Sequence, residues 1–318
     1  MKKLLMASAL AVVGVASAQA GYPERPITML VAYSAGGGTD VAARTLAPYI
    51  AKHLGNNASI VIVNKSGAGG EVGFTELALS KPDGYTIGFI NTPNILTIPI
   101  ARKARYTLAS FAPIANVVED AGAFSVLPTH NIKTLKDLVA YAKANPGKAT
   151  YGSTGIGSDD HLAALSFERL AGVKMKHVPF QGSAKMRAAV LGGHVMIADM
   201  NISEAIAEVD EGKLVALGQM GEKRWSGAPN VPTFKEQGYD IIMGSMRGIA
   251  APAGTDPAIV AKLDAAVKKA IDDPEFQQKA KQQKLPLAYI SSKDFQKVLQ
   301  TQTKTFEQLW KDDPWVKK

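Results

Sequence analysis

The chain has 318 residues, 46% hydrophobic and 20% charged, a globular balance that excludes disordered, collagen-like and coiled-coil classes. It contains no cysteine, which excludes disulfides, thiol catalysis, zinc ribbons and iron–sulfur clusters. Lys and Arg outnumber Asp and Glu by 36 to 28, a net charge of +8, which suits small anionic molecules and does not call for nucleic acid.

Residues 1–20 read as a secretory signal peptide. Lys2 and Lys3 open it, residues 4–15 form an apolar run, and Ala18-Gln19-Ala20 is a small-x-small cleavage site before Gly21. The run is too short for a permanent anchor, and no later stretch approaches eighteen apolar residues. The expected mature protein is exported and soluble, beginning at Gly21.

From Pro26 the chain alternates apolar β-branched runs with helical periodicity. Residues 27–32 (ITMLVA) read as a buried strand, followed by Tyr33-Ser34-Ala35-Gly36-Gly37-Gly38 and a helix from Thr39 to about residue 54. A second strand is expected at 59–63 (SIVIV), then Gly67-Ala68-Gly69-Gly70 and a helix through Leu79, and a third strand at 85–90. Repeated strand–glycine loop–helix units indicate parallel strands with crossover helices. The pattern changes between Phe111 and Leu127. A second series then follows: helix 133–144, strand 148–152, a Gly/Ser loop at 153–158, helix 159–170, strand 175–178, helix 184–191 and strand 214–217. A long β-rich segment at 241–251 ends at Pro252-Ala253-Gly254-Thr255, and the remainder is helical at 257–271, 274–282 and 293–310, with a short strand at 287–290.

Two α/β series and a return through one long segment suggest two lobes joined by two crossovers, with a cleft between them. Lobe 1 would combine 21–120 with 245–318, and lobe 2 would span 121–244. A single doubly wound domain is the alternative.

Enzymatic constellations are scarce. The five histidines, His53, His130, His161, His177 and His194, fit no zinc spacing. Neither G-x-S-x-G nor a nucleotide-phosphate loop occurs. Gly67-Ala68-Gly69-Gly70-Glu71-Val72-Gly73 is one position out of step with a dinucleotide fingerprint. No cofactor and no metal are expected. What remains are glycine-rich loops that open helices. Gly36-Gly37-Gly38 before Thr39 and Asp40, with Thr39 as N-cap, offers backbone N–H groups at the positive end of a helix dipole, where a carboxylate fits. The Ser153-Thr154-Gly155-Ile156-Gly157-Ser158 loop, one turn before His161, offers the same chemistry from the other lobe. Each loop, taken alone, would serve equally as a plain strand-to-helix turn, and His161 as a packed or capping residue.

In order along the chain stand Tyr22-Pro23-Glu24-Arg25-Pro26, Ala35-Gly36-Gly37-Gly38-Thr39-Asp40, Asn64-Lys65-Ser66-Gly67-Ala68-Gly69-Gly70, Lys81-Pro82-Asp83-Gly84-Tyr85, Gly152 to Ser158 with His161, Pro179-Phe180-Gln181-Gly182 and Ala251-Pro252-Ala253-Gly254-Thr255. This series resembles the substrate-binding proteins of tripartite tricarboxylate transporters, the Bug or TctC-like extracytoplasmic solute receptors, over essentially the whole mature chain. The resemblance implies an α/β, two-lobed type II periplasmic-binding-protein fold, each lobe a mostly parallel sheet flanked by helices, with two hinge crossovers. It further implies a periplasmic, monomeric, non-enzymatic receptor that captures a small carboxylate and delivers it to membrane permease subunits. The loop from Tyr33 to Asp40, including Ala35, would hold a carboxylate from one side, and Ser153, Thr154, Gly155, Gly157, Ser158 and His161 from the other. Asn201 and Ser203 match a cleft-lining stretch, and Met246 and Arg247 a hinge-proximal one. Met196 stands where the family often carries an aspartate, with Asp199 shifted from that place, and Met246 where an aromatic residue is common. Arg247 would meet a distal carboxylate or form a salt bridge. The different-class alternatives are an exported α/β enzyme acting on a carboxylate, with His161 or Asp40 as base, and a sensor signalling to a membrane partner.

Overall fold

The structure is a computed structural model that describes residues 21–316; the expected signal peptide lies outside the described residues. The chain begins with β1 (Ile27–Val31), α1 (Gly38–Leu54), β2 (Ile60–Asn64), α2 (Glu71–Ala78), β3 (Thr86–Asn91) and α3 (Asn94–Ala101). It continues through β4 (Phe111–Val126), α4 (Leu135–Ala144), β5 (Thr150–Ser153), α5 (Asp159–Ala171), β6 (Lys176–Pro179), α6 (Ser183–Leu191), β7 (Ile197–Asn201), α7 (Ile202–Asp210) and β8 (Val215–Gln219). It returns through β9 (Gly244–Pro252) and ends with α8 (Pro257–Asp272), α9 (Pro274–Gln282), β10 (Leu287–Ser291) and α10 (Ser292–Asp312).

The strands lie in the order β2-β1-β3-β9-β4-β7-β5-β6, with β8 and β10 also paired to β4. Pairing is parallel within β2-β1-β3 and within β7-β5-β6. It is antiparallel wherever β4, β9 or β10 takes part. The sheet is therefore mixed, because the two long central strands run opposite to each other and each carries the chain across the middle.

β4 is the spine of this arrangement. From Phe111 to Ala121 it pairs with β9, and from Gly122 to Val126 with β7 and β8. It divides the molecule into a first half-sheet (β2-β1-β3-β9 and the start of β4) and a second (the end of β4 with β7, β8, β5 and β6). The strand shows no polar–apolar alternation because both faces are covered: nearly every β4 residue is buried. For that reason the sequence shows only a change of pattern there, not one strand of 16 residues.

Each half has its own apolar core. In the first, Ile27 and Met29 of β1 meet Leu46 and Ile50 of α1 and Leu263 of α8. In the second, Phe124, Phe167 and Phe234 pack edge to face with centroids 5.1–5.8 Å apart, a geometry that aromatic quadrupoles favour.

Element starts follow local chemistry. Thr134 and Asp137 form a reciprocal capping box on α4, and Asp273 with Pro274 opens α9. At α1 the expected N-cap is corrected. The helix begins at Gly38 with Gly37 as a cap that supplies no side-chain bond, while Thr39 lies inside the first turn and its hydroxyl accepts from Asn91 Nδ2 at 2.8 Å. The consequence is an α1 terminus whose first N–H groups are left for something else.

Candidate functional site

A cavity lies between the two half-sheets. The first half contributes Tyr33, Gly37, Gly38 and Thr39 from the β1–α1 connection, Asn91 and Asn94 flanking the end of β3, and Ser245 and Arg247 from β9. The second contributes Thr154 and Asp159 at the start of α5, Ser183 at the start of α6, and Asn201 and Glu204 at the start of α7. Apart from Ser245 and Arg247, which lie at the start of the antiparallel β9, these are C-terminal strand ends and helix N-termini, where open α/β sheets place their ligands. The space open to the centre of a water molecule is about 20 Å³, enough for about one ordered water.

Arg247 sits at the floor, 2% exposed. It is opposite Asn91 on β3 and Val118 on β4, so sheet pairing on both sides fixes its backbone. Its Nη1 donates to Asp120 at 3.0 Å and its Nη2 to Asn201 Oδ1 at 2.8 Å, with Glu204 Oε1 at 3.3 Å. Burial by itself would lower its pKa, but the charges of Glu204, Asp120 and Asp159 outweigh burial and hold it up. Asp120, fully buried, is pushed up to about 6 by burial, with Arg247 opposing the rise. It also accepts bonds from Ser203 N–H and Oγ. Asn201 Nδ2 donates to Asp159 at 2.7 Å and to the Asp120 carbonyl at 2.9 Å, tying α5, α7 and β4 together.

The α1 terminus is bridged from across the cavity. Gly38 N–H donates to Glu204 Oε1 at 2.6 Å, and Ser183 Oγ donates to the same oxygen at 2.9 Å. A Cβ at Gly38 would stand 2.1 Å from that oxygen and 2.9 Å from Arg247 Cζ, so only glycine permits the approach. Asp40 faces the other way. It accepts from Gly36 N–H, Arg44 and Asn64 at 2.9–3.0 Å. Burial would raise its pKa, and these bonds more than offset it and hold the carboxyl low.

The Ser/Gly loop before α5 is satisfied from within. Thr154 donates to Asp160 through N–H at 2.8 Å and Oγ1 at 2.6 Å. Ser158 caps the helix by accepting from His161 N–H. Ser153 Oγ bonds His177 Nε2 at 2.6 Å, and His177 stacks between Tyr151 and His161 at 4.9 and 4.3 Å. Burial pushes the two imidazoles down, to about 3 for His161 and about 4 for His177. Both are therefore neutral near pH 7, and neither lines the cavity. Burial and the neighbouring Asp159 charge push Asp160 well above the usual carboxylate range.

Of the residues singled out in the sequence, Tyr33, Gly37, Gly38, Thr39, Thr154, Asn201 and Arg247 line the cavity. Gly36, Asp40, Ser153, Gly155, Gly157, Ser158, His161, Ser203 and Met246 stand behind the lining or beside it, and Ala35 and Gly36 are exposed. Arg247 is paired within the protein rather than exposed at the surface. Asp199, the aspartate out of place in the family pattern, is fully buried on β7, where burial pushes it well above the usual range and both oxygens lack a bonding partner among the described residues. Sequence reasoning missed Asn91, Asn94, Asp159, Ser183, Glu204 and Ser245. Asn91 and Asn94 were within reach, since the rule that placed the ligand after the first strand applies equally after the third. Glu204 follows Ser203 in the stretch already identified, but nothing local shows that it bridges to a residue 166 positions away.

Among the described residues no helix is long and apolar enough to cross a membrane, and no group of acidic, histidine or cysteine side chains could hold a metal. The sequence profile of the "Tripartite tricarboxylate transporter family receptor" matches residues 42–313. A protein of Cupriavidus necator, "UPF0065 protein in gbd 5'region", is 38% identical over 303 residues, covering 91% of this chain and 89% of its own. The periplasmic binding protein BugD superposes with a TM-score of 0.85 at 30% identity, covering 92% of this chain and 98% of that one. MatC from Rhodopseudomonas palustris with bound malate gives 0.83 at 27% identity, covering 91% and 99%. R. palustris Rpa4515 with adipate gives 0.85 at 27%, covering 91% and 97%.

Proposed function

The chain belongs to the tripartite tricarboxylate transporter receptor family, and on that premise we propose that it captures a small carboxylate between its two half-sheets and hands it to a tripartite-type membrane permease. Family members are solute-binding proteins and not enzymes, with the two-lobed fold of periplasmic binding proteins. The work to be explained is therefore binding. In our reading the lobes are residues 21–120 with 245–318, and residues 121–244. The crossings fall on β4 and just before β9, where strand pairing changes partners. The protein acts in the periplasm as a monomer, exported through residues 1–20 with cleavage after Ala20.

One observation carries this reading: the cavity is lined from both half-sheets by helix N-termini, with a buried guanidinium at its floor. Helix-terminal N–H groups and an arginine are the donors a carboxylate needs. The malate and adipate held by the two R. palustris neighbours support that ligand class. A solute touching both lobes favours the closed state by its greater affinity for it. An affinity near 1 μM corresponds to about −8 kcal/mol, within reach of a few charge-assisted bonds.

A thermal-shift and calorimetric panel of mono-, di- and tricarboxylates, amino acids and aromatic acids tests the proposal. A cognate acid at 100 times its dissociation constant should add about 2.7 kcal/mol of stability. Binding of a neutral or cationic solute in place of every acid would overturn the ligand class.

A further inference from the structure

The place where a solute carboxylate would bind at the start of α1 is filled by a carboxylate of the chain itself. One oxygen of Glu204 accepts from Gly38 N–H and Ser183 Oγ and lies 3.3 Å from Arg247 Nη2. Its side chain is 8% exposed. Gly38 belongs to the first half-sheet and Glu204 and Ser183 to the second, so the contact spans the cleft. We propose that Glu204 is a tethered occupant of the carboxylate seat: it holds the cleft closed without solute, and an incoming carboxylate takes its place.

Three observations converge. With Glu204 seated, the remaining space holds about one water, so a four-carbon acid cannot be added; something must leave. Among the described residues Arg247 is the one basic side chain lining the cavity, and it already serves Asp120 and Glu204. Asp159 leans on the same charge, so an added carboxylate would place a fourth acid around one guanidinium, whereas an exchange keeps the charge balance unchanged. A displaced Glu204 also has a partner at hand, because Arg187 Nη1 already bonds the Glu204 backbone carbonyl at 3.1 Å. The self-occupied state does not bind solute, so apparent affinity is reduced by the fraction of molecules that are free to bind. Glu204 thereby sets how well a solute's carboxylate must compete.

The exchange half of this proposal rests on the receptor reading; the latch half does not. Small-angle scattering on the full mature chain, with no solute, compares wild type with Glu204→Ala in sodium chloride and in sodium acetate of equal ionic strength. Glu204→Ala should have the larger radius of gyration in chloride, and acetate, filling the vacated seat, should restore the wild-type value. Wild type should respond equally to the two salts. Glu204→Gln, which keeps the shape and removes the charge, should expand in the same way and serves if the alanine variant does not fold. A wild-type radius for the variants in chloride, or an expansion that acetate leaves unchanged, overturns the latch. Calorimetry with a carboxylate found by the panel then reads the exchange: Glu204→Ala should bind it at least tenfold more tightly. Equal or weaker binding overturns the exchange and leaves the receptor reading intact. An acetate-reversed expansion with no binder in the panel would instead sink the receptor reading and leave the latch standing.

Discussion

The N-termini of α1 and α5 look alike in sequence and differ in the fold. Each follows a strand and a glycine-rich loop, and each carries aspartate in its first turn. At α1 the cap has no side-chain bond, and Asp40 turns back to Arg44, Asn64 and Gly36. A first-turn N–H is left to reach across the cleft. At α5 Ser158 caps the helix and Asp160 takes the Thr154 donors, so that end is closed upon itself. The cause is the supply of a nearby cation, since all three aspartates are buried. Asp40 has an arginine one turn away on its own helix, whereas Asp159 and Asp160 have Arg247, on the far side of Asn201, as the compensating charge. Equivalent patterns thus yield one terminus that can receive an anion and one that builds the wall beside it.

The largest expected effect falls on the shared cation. Arg247→Gln leaves Asp120, Glu204 and Asp159 without their common counter-charge, and breaking a buried pair by removing one partner costs about 3–5 kcal/mol. Denaturant unfolding should show a loss of that size. Adding Asp120→Asn to the same variant should recover much of it. A loss below about 1 kcal/mol would mean the network is hydrated rather than buried.

Next comes the contrast in pH dependence. Burial first, opposed by the Asn201 bond and Arg247, raises Asp159 to about 6. A group raised in the folded state contributes its stability below the unfolded value near 4, and loses it as pH rises through 6. Asp159→Asn removes that loss, so its stability relative to wild type should improve between about pH 4.5 and pH 7.5. The gain should grow across that window as the wild-type carboxyl ionises. Asp40, held low, has the opposite sign: its contribution is present at neutral pH and lost as pH falls below the ordinary value. Asp40→Asn should therefore be most damaging near pH 7 and least so in acid. Comparing melting temperatures of both variants with wild type across this range checks the signs; parallel profiles would erase the distinction between the two helix ends.

The smallest effect belongs to Ser153→Ala. Its hydroxyl is fully buried and bonded to His177 and Gly155 N–H, so the loss should be about 0.5–1.5 kcal/mol of stability. Affinity for a carboxylate should not change, because Ser153 is not in the lining. A loss of affinity without a loss of stability would return the second carboxylate contact to the Ser153–Ser158 loop.

Much of the fold is legible along the chain. The strands at β1, β2 and β3 and the helices α5, α8 and α9 fall within a residue or two of their expected places, because each carries an apolar period and a recognisable start. β7 and α7 were unmarked, since Ile197–Asn201 is buried on both faces and too short to show a period. Half of the site could be read in the same way: glycine loops after strands announced Gly37, Gly38 and Thr154. Asn91 falls under the same rule at the third strand, Arg247 is reached only through the family resemblance, and Ser183 and Glu204 have no local signature.

The sequence by itself determined the α/β alternation and the family, because these depend on periodicity and composition that can be read within a few residues. Only the tertiary structure decided which helix terminus stays open and what fills it. Gly38 meets Glu204 across 166 positions, and Arg247 reaches Asp120 across 127, because β4 and β9 carry the chain back through the middle of the sheet. Electrostatics in a buried cleft is set by which charges the fold brings within a few ångströms, and spacing along the chain does not encode that distance.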